Sequence, residues 1–422
     1  MRAMKDSGVD WIGEIPVDWT VTRIKSLFRE TNDRCKHGSD FTLLSVSEYY
    51  GVAPRKEKID TNDMLTHAES LDGYKICHKN NLVMNIMLAW KRALGISEYE
   101  GIVSPAYCVY QAKQNICGKY FHYLFRTDIY ANLFKQFSTG IIDSRLRLYP
   151  DKFLSLKCQY PPFVEQQRIA DYLDRQCTAI DASIEKEKES ISRLEEYRQS
   201  VITEAVTRGL DPAAPMKDSG TEGIGSIPLS WLMIKIKFLF YIKKEIAGQD
   251  GYAVLSITQK GVIPKDISKN EGQMAANYSH YQVVNPGDFA MNHMDLLTGW
   301  IDISNYIGVT SPDYRVFSMS HPENHCPRYF LYFFQMCYIN RIFYGLGQGV
   351  SGMGRWRLPA DQFLNFKIPV PSHQEQQQIA TYLDEQCGAI DRLISRKQSV
   401  IDKLTEYKKS LIYETVTGKR EV

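Results

Sequence analysis

The chain carries one unit twice, and this duplication constrains its fold more than any other feature. Residues 165–181 read EQQRIADYLDRQCTAID, and residues 375–391 read EQQQIATYLDEQCGAID. A second match joins MKDSGVDWIGEIPVDW at 4–19 to MKDSGTEGIGSIPLSW at 216–231, and weaker matches between these anchors keep the same order. Because repetition of this kind indicates repeated structural units, each half should fold as a short lead, a globular part and a long helix.

The two globular parts, residues 20–150 and 232–360, show the pattern of strands. Apolar runs such as TLLSVSEYY, NLVMNIML and IVSPAYCVY alternate with Gly, Pro and Asn. Such short runs bounded by turn residues are typical of β-strands. One or two helices are also expected in each part, and KYFHYLFRTDIYANLF is the clearest of them.

Each globular part is followed by a long amphipathic helix. The segment from Glu165 to about Arg208 contains no Gly or Pro, and its apolar residues recur at alternating spacings of four and three. A seam of this length is typical of a coiled coil. The alternative is that each helix packs along its own globular part, which would leave much of the apolar stripe uncovered. The predicted seam residues are Leu173, Ile180, Ile184, Ile191, Leu194, Leu383, Ile390, Ile394, Ile401 and Leu404.

The repeat also predicts where the two ends of the chain lie. The first helix ends near Arg208, and the second lead follows almost at once at Met216. The second helix ends near Gly418, and the lead that corresponds to Met216 is the one at Met4. If a pseudo-twofold axis relates the units, Met4 should lie close to Lys419, within the ~25 Å that a seven-residue link can span.

Composition places the chain among ordinary globular proteins. Hydrophobic residues make up 44% of its 422 residues and charged residues 24%, which argues against a disordered or fibrous protein. The nine cysteines form no CxxC pair, so neither a zinc site nor a disulfide framework is expected. The charged, Gly-containing start is unlike a signal peptide, and no apolar run reaches the ~18 residues of a membrane helix. A cytoplasmic protein is therefore expected.

Positive charge is concentrated on the globular parts. Residues 20–150 hold 18 Lys and Arg against 13 Asp and Glu, and residues 232–360 hold 12 against 9. The first helix with its flanks, 161–211, is acidic, with 7 against 11. Basic globular parts favour nucleic acid as a partner, because neutralising phosphates supplies most non-specific affinity. The excess is modest, and many proteins without such a partner have as much.

The second copy contains a glycine-rich stretch that the first copy lacks. Residues 345–354 read GLGQGVSGMG, which contains the GxGxxG spacing of nucleotide-binding loops. Such a loop needs a buried strand before it and a helix after it. Here a helix-like aromatic run precedes it, and the first copy has STGIIDS at this place. We therefore expect a flexible surface loop that can approach a groove or a phosphate closely.

Several polar residues are candidates for DNA contacts. Arginines flank the loop in both copies and suit phosphates, although a solvated strand face is the alternative. Asn85 and Asn292 occupy matching positions and could pair with adenine, or they could equally cap turns. Lys91 and Arg92 form a basic pair that the second copy lacks. The complete candidate set is Asn85, Lys91, Arg92, Arg145, Arg147, Asn292, Gln348, Ser351, Arg355 and Arg357.

No catalytic motif is evident. The chain contains no Walker loop, no HExxH and no Asn/Asp-Pro-Pro-aromatic motif of adenine methyltransferases. Residues 406–408 (EYK) resemble half of a nuclease site but lie within the seam helix, where a solvated face is expected. The histidines show no ligand spacing, so no metal is expected. A recognition or scaffold protein is favoured over an enzyme.

The arrangement resembles the specificity (S) subunit of Type I restriction-modification enzymes. The resemblance is carried by DWIGEIPVDW (10–19) with SIPLSW (226–231), by PPFVEQQRIADYLD with PSHQEQQQIATYLD, and by EYRQSVITEAVTRG with EYKKSLIYETVTGK. These motifs cover essentially the whole chain, in the family's order, twice. They are specific because the duplication, the EQQ motif and the long helix occur together.

The resemblance implies a fold and a function. The expected fold class is α+β, with two strand-rich target recognition domains separated by two long antiparallel coiled-coil helices and an internal pseudo-twofold repeat. The expected segments are 1–160 and 216–370 for the leads with their domains, and 161–215 and 371–422 for the helices.

In that family each domain reads one half of a bipartite DNA site, while the helices set the spacer and bind two methyltransferase subunits. Those subunits carry the S-adenosylmethionine, so no cofactor is expected in this chain, and motor-nuclease subunits complete the complex. The alternatives are a fused methyltransferase, disfavoured by the missing motifs, and a coiled-coil interaction protein without DNA, disfavoured by the basic globular parts.

Overall fold

The computed structural model describes residues 2–55, 71–266, 277–349 and 356–422. The chain divides into two compact units, which we call unit 1 (Met1–Glu187 with Ser399–Val422) and unit 2 (Lys188–Gln398). The two long helices are α4 (Phe163–Arg208) and α8 (His373–Val416). Each of them therefore contributes one part to each unit.

Unit 1 is built mainly from short antiparallel strands. Its strands are β1 (Met4–Asp6), β2 (Glu14–Pro16), β3 (Thr20–Arg23), β4 (Phe28–Thr31), β5 (Leu44–Ser47), β6 (Gly51–Pro54), β7 (Lys75–Cys77), β8 (Leu82–Asn85), β9 (Leu94–Ile96), β10 (Gly101–Val103), β11 (Tyr107–Ala112) and β12 (Lys157–Tyr160). Its shorter helices are α1 (Gly118–Phe125), α2 (Asp128–Phe137) and α3 (Pro150–Ser155), with 3-10 turns at Ile24–Ser26, Gly38–Asp40, Ala89–Lys91 and Asp143–Arg145.

Unit 2 repeats this construction. Its strands are β13 (Met216–Asp218), β14 (Ser226–Pro228), β15 (Leu232–Lys235), β16 (Phe240–Ile242), β17 (Leu255–Thr258), β18 (Gly261–Pro264), β19 (Gln282–Val284), β20 (Phe289–Met291), β21 (Ile301–Ile303), β22 (Gly308–Thr310), β23 (Arg315–Met319) and β24 (Lys367–Val370). Its shorter helices are α5 (Pro327–Ile339), α6 (Ile342–Gly345) and α7 (Ala360–Asn365), with 3-10 turns at Ile236–Phe238 and Pro322–Asn324.

A four-stranded antiparallel sheet organises each unit. The strand order is β4-β11-β8-β9 in unit 1 and β16-β23-β20-β21 in unit 2. The register is the same in both, since Met84 pairs with Cys108 and Met291 pairs with Arg315. Met84 and Met291 differ by 207 positions, and so do Cys108 and Arg315. The weaker sequence matches between the two copies have the same offset. The sequence repeat is thus a structural repeat at the level of individual strand positions.

Aromatic side chains fill the core beneath each sheet. In unit 1 Phe28 packs edge-on to Phe121 at 5.2 Å between ring centroids, and in unit 2 Phe240 packs edge-on to Phe330 at 5.4 Å. All four rings are essentially inaccessible to solvent. Aromatic pairs in this geometry contribute ~0.5–1.5 kcal/mol beyond the area they bury. The aromatic run that precedes the glycine-rich loop, RYFLYFF, is therefore a core helix, as its sequence predicts.

The long helices run antiparallel within unit 1. The Nζ of Lys408 on α8 lies 2.6 Å from a carboxylate oxygen of Asp181 on α4. At the start of α4, Glu165 accepts a hydrogen bond from Trp19 at 3.3 Å. Gly418, just beyond the end of α8, approaches the same indole so closely that an added Cβ would lie 3.3 Å from it. The start of α4 therefore lies beside the end of α8.

Unit 2 shows the same arrangement with the helices exchanged. Asp391 on α8 lies 3.5 Å from Arg198 on α4. Glu375, at the start of α8, accepts a hydrogen bond from Trp231 at 2.9 Å. An added Cβ on Gly209, just beyond the end of α4, would lie 3.2 Å from that indole. The predicted α+β class with long antiparallel helices and an internal repeat is confirmed.

Burial along α4 and α8 follows the predicted seam. Leu173, Ile180, Leu383, Ile390 and Ile401 are buried. The others are partly buried: Ile184, Ile191, Leu194, Ile394 and Leu404. The polar positions that interrupt the seam at 198 and 408 form the two ion pairs described above. Partly exposed pairs of this kind contribute ~0.2–1 kcal/mol each, so the apolar seam provides most of the helix pairing.

The predicted proximity of the two chain ends is also confirmed. In unit 1 Met4 pairs with Pro16 across β1 and β2. Gly418 packs directly against the ring of Pro16. Met4 and Gly418 are thus both neighbours of one residue, well inside the distance that the repeat requires.

The EQQ motif mounts each globular part on its helix. In unit 1 the side chain of Gln166 accepts a hydrogen bond from the Cys117 backbone N–H at 2.9 Å and donates to the Pro161 carbonyl at 2.8 Å. Gln376 does the same in unit 2 with Cys326 and Pro371, at 2.8 and 2.9 Å. Both glutamines are 1% exposed. Cys117 and Cys326 immediately precede α1 and α5, so one side chain fixes the core helix to the long helix.

Candidate nucleic-acid interface

An arginine-bearing loop in unit 1 is tied to the end of strand β8. Thr139 and Arg147 exchange two backbone hydrogen bonds of 2.9 and 3.0 Å. The next residue, Leu148, donates its backbone N–H to the Ile86 carbonyl at 2.9 Å. Ile86 directly follows Asn85, the last residue of β8. Candidates about 60 positions apart in the sequence are therefore carried on adjoining segments.

Unit 2 ties its loop in the same way. Gln348 and Arg357 exchange backbone hydrogen bonds of 2.9 and 3.1 Å, and Leu358 donates to the His293 carbonyl at 2.9 Å. His293 directly follows Asn292, which comes after the last residue of β20. The predicted candidates Asn292, Gln348 and Arg357 are thereby brought together. Ser351 and Arg355 lie outside the described residues.

The glycine-rich stretch contains a close approach that only glycine permits. Trp356 donates its indole N–H to the Tyr344 carbonyl at 2.8 Å. The same indole lies against Gly347, where a Cβ would overlap it. Gly347 therefore allows the Trp356 ring to pack against the backbone. Residues 350–354 of the predicted flexible loop lie outside the described residues.

Both candidate asparagines cap turns. The Oδ1 of Asn85 accepts a hydrogen bond from the Met87 backbone N–H at 3.1 Å. The Oδ1 of Asn292 accepts one from the Met294 backbone N–H at 3.3 Å. Asn85 is 4% exposed, whereas Asn292 is only partly buried. The turn-capping alternative is supported for both, and a base contact stays a prediction that suits Asn292 better.

Unit 1 presents a basic surface organised around a tryptophan. The Nζ atoms of Lys91 and Lys135 lie 5.3 and 4.9 Å from the Trp90 ring centroid. Lys135 also contacts Asp143 at 2.8 Å. Asp143 begins the 3-10 turn that ends at Arg145, whose side chain is exposed. The predicted residues Lys91 and Arg145 therefore belong to one surface, to which sequence reasoning did not assign Trp90 or Lys135.

Arg92, unlike its neighbour Lys91, contributes to the fold through its backbone conformation and an ion pair. Its backbone adopts a left-handed conformation with φ of 68°. Its guanidinium forms an ion pair with Asp128 at the start of α2. Part of its charge is thereby neutralised, so Lys91 is the stronger phosphate candidate of the two.

Unit 2 buries a cation that sequence reasoning missed. Arg315 is 4% exposed and donates from Nη2 to the Leu358 carbonyl at 2.8 Å. Its guanidinium carbon lies 5.1 Å from the centre of the Phe363 ring. Burial lowers the pKa of Arg315 to about 10, so the side chain stays charged at neutral pH. The available signal was an arginine in a strand whose equivalent in the first copy is Cys108.

The charge of Arg315 also affects the pKa of His293. Burial, and then the charges of Arg315 and Arg357, lower the pKa of His293 to about 4. The imidazole is therefore neutral at physiological pH, and two cations face it. The candidate surface of unit 2 thus combines positive charge with a neutral imidazole ring.

The part of the chain that the structure describes contains no group of three or more His, Cys, Asp or Glu side chains placed to hold a metal ion. The nine cysteines are unpaired. No helix among the described residues is long and apolar enough to cross a membrane.

The long helices expose apolar side chains. Val164 and Tyr197 on α4 are 77% and 55% exposed, and Leu393 and Tyr407 on α8 are also exposed. These positions lie outside the predicted seam.

Part of the chain matches a family model. Residues 282–403 match the family described as the Type I restriction modification DNA specificity domain. A curated relative, the Type I restriction enzyme MjaVIII specificity subunit of Methanocaldococcus jannaschii, is 24% identical over 291 residues. That alignment covers 64% of this chain and 63% of the relative.

Two solved structures share the fold. The first is a chain from a structure on complex assembly and conformational transition of the type I R-M system, with a TM-score of 0.68, 14% identity, and coverage of 96% of this chain and 99% of that chain. The second is the HsdS subunit from Thermoanaerobacter tengcongensis, with a TM-score of 0.52, 14% identity, and coverage of 96% and 98%. The predicted resemblance of this chain to the specificity subunits of Type I restriction-modification enzymes is thereby confirmed.

Proposed function

We propose that this chain is the DNA-reading subunit of a Type I restriction-modification complex, in which each unit reads one half of a bipartite site. The observation that carries the proposal is the arginine loop tied to an asparagine turn, which occurs in both units. The loop of unit 2 lies wholly within the matched specificity domain, residues 282–403. Equivalent positions with different side chains, such as Cys108 and Arg315, suit two units that read different sequences.

The contacts would divide into two kinds. Exposed cations such as Lys91, Arg145 and Arg357 would neutralise phosphates and fix the orientation on the duplex. Asn292 is the candidate for reading a base edge, because an asparagine amide can pair with adenine. Neutralising phosphates makes affinity fall with salt, by ~0.9 in the logarithmic slope for each contact in B-DNA.

The chain would supply recognition, and its partners the chemistry. Two methyltransferase subunits would bind S-adenosylmethionine and modify adenine, and motor-nuclease subunits would join for cleavage. The helices α4 and α8 would set the distance between half-sites and bind the methyltransferase subunits. Action on cellular DNA fits the predicted cytoplasmic location.

A domain exchange tests the proposal. Replacing residues 20–150 by the corresponding domain of another specificity subunit should change one half of the methylated sequence and leave the other half unaltered. The methylated sequence is read by mapping N6-methyladenine after co-expression with the methyltransferase partner. A change in both halves would contradict the assignment of one half-site to each unit.

The purified chain gives a second test. With S-adenosylmethionine but without partner subunits it should transfer no methyl group to DNA. Methyl transfer that co-purifies with this chain alone would favour the fused-enzyme alternative. DNA binding that is independent of salt, or absent even with the methyltransferase partner, would favour the interaction-protein alternative.

A further inference from the structure

Unit 2 contains a cavity that the DNA-reading surface alone does not explain. It has a volume of about 380 Å³ and is lined by Arg315, His293, Gln348 and Arg357. One water occupies ~30 Å³, so the cavity has room for a hydrated tetrahedral anion. Two of these four side chains are cationic, and the exposed Arg357 belongs to the loop described above. The other lining residues are Gly349, Leu358, Pro359 and Ala360.

Arg315 lines this cavity, and one of its guanidinium nitrogens lacks a hydrogen-bond partner. Its Nη2 binds the Leu358 carbonyl, but its buried Nη1 finds no hydrogen-bond acceptor among the described residues. A buried charged donor without a partner is destabilising, so this position favours an acceptor supplied by a ligand. The buried Nδ1 of His293 also has no partner among those residues. Two polar groups of one cavity are thus left unsatisfied.

Nearby acids do not complete the site. Asp361 and the Tyr338 hydroxyl are the groups that raise the pKa of Arg315, but desolvation outweighs them. Tyr338 donates its hydroxyl hydrogen to the Asn292 carbonyl at 2.7 Å. Asp361 makes no hydrogen bond to Nη1 of Arg315, which has no partner among the described residues. The guanidinium therefore keeps most of its capacity to bind an anion.

The first unit lacks this cavity chemistry. Cys108 stands where Arg315 stands, in identical strand register, and Ile86 stands where His293 stands. Only the loop arginine is shared, as Arg147 and Arg357. The cationic pocket is therefore an addition to unit 2 and not part of the framework that both repeats need to fold.

We propose that Arg315 and Arg357, with His293, form a phosphate-binding pocket in unit 2. A guanidinium offers parallel N–H donors that match two oxygens of a phosphate group. Nη1 of Arg315 would bind from within the cavity, and Arg357 from its exposed edge. The phosphate could belong to a DNA backbone or to a free anion. The first source rests on the proposed function, and the second does not.

Inorganic phosphate tests the pocket directly. Isothermal titration of the full-length chain with phosphate should show saturable binding, which Arg315→Cys and Arg357→Ala should each weaken by about tenfold or more. Arg315→Cys introduces the residue that the first repeat carries in the same strand position. Lys260→Ala is the matched control, since it removes one exposed charge from the β17–β18 turn of the same unit.

A DNA measurement separates the two sources. The affinity for a mixed-sequence duplex is measured against sodium chloride concentration for the chain with its methyltransferase partner. If the pocket binds a backbone phosphate, Arg315→Cys should reduce the logarithmic slope by ~0.9, while Lys260→Ala changes it less. Phosphate binding without a change in slope would assign the pocket to a free anion. A change in slope without phosphate binding would assign it to DNA alone.

Two outcomes would contradict the proposed pocket or the proposed function. If Arg315→Cys and Arg357→Ala both leave phosphate binding and the salt slope unaltered, the pocket proposal is wrong. If the wild-type complex binds no DNA, the proposed function fails, while the phosphate titration still decides the pocket. Should Arg315→Cys fail to fold, as judged by circular dichroism, Arg357→Ala gives the same test because its side chain is exposed.

Discussion

Removing Gln166 should release the core of unit 1 from the start of α4. Its amide joins three elements, because it accepts from the Cys117 N–H ahead of α1 and donates to the Pro161 carbonyl that follows β12. The side chain is 1% exposed, so water cannot replace these bonds readily. Substitution by alanine would leave one buried donor and one buried acceptor without partners.

The expected cost follows from these two groups. Each unsatisfied buried polar group costs ~1–3 kcal/mol, so Gln166→Ala should destabilise unit 1 by ~2–6 kcal/mol. A typical domain has only ~5–15 kcal/mol of stability. The variant should therefore still fold, but with a clearly reduced free energy of unfolding.

The assay combines urea unfolding with amide hydrogen exchange. Unfolding gives the total cost, and faster exchange of the Cys117 amide would show that the lost bond is responsible. Gln167→Ala is the control, because this neighbour undergoes the same change on an exposed part of the same helical turn. Gln376→Ala should produce an equal loss in unit 2, with faster exchange at Cys326. Equal unfolding free energies for Gln166→Ala and Gln167→Ala would refute the anchoring role.

Three further outcomes are expected. Asn292→Ala should relax specificity at one base position by ~1–3 kcal/mol if it reads a base; an unaltered methylation motif with lower stability would leave it only the turn-capping role. Burial, and then Arg126, lower the pKa of His122 to about 3, whereas the unfolded value is ~6.5. The unfolded state thus binds more protons between these values, so unit 1 should lose stability as pH falls from 6.5, and His122→Asn should lessen that loss in urea titrations. A permutant opened between Leu210 and Pro215, with the old ends joined by a short linker, should fold and direct methylation to the same site; a folded permutant without DNA binding would contradict the equivalence of the two chain ends with the link between the units.

The sequence predicted the structure correctly wherever one copy of the repeat could be compared with the other. An apolar residue that recurs in both copies is a core or seam residue, and Leu173 and Leu383 are both buried. The matching of Asn85 with Asn292 predicted equivalent positions, because their backbone N–H groups donate to the equivalent carbonyls of Ala93 and Trp300. The ends of the chain also met as predicted, because a repeated linker restricts where they can lie.

The sequence was insufficient where the role of a residue depends on a distant partner. The EQQ motif identified the resemblance, but nothing in its letters shows that Gln166 reaches Cys117, 49 positions away. Arg315 was not selected, because an arginine at the start of a strand usually points to solvent. Its burial depends on Phe363 and Leu358, which the fold brings over it from beyond the loop. Such contacts arise from tertiary packing and leave no periodic signal.

Comparison of the two repeats distinguishes residues of the shared framework from residues of the candidate recognition surfaces. The side chains that mount each globular part are the same residue types in both units: Trp19 and Trp231, Glu165 and Glu375, Gln166 and Gln376. Their hydrogen bonds are repeated, at 3.3 and 2.9 Å from tryptophan to glutamate and at 2.9 and 2.8 Å from the cysteine N–H to glutamine. Around the two arginine loops the types diverge, with Ile86 opposite His293 and Cys108 opposite Arg315. Since both units share one backbone arrangement at these positions, packing alone does not demand the difference. Two recognition surfaces that bind different half-sites would require it.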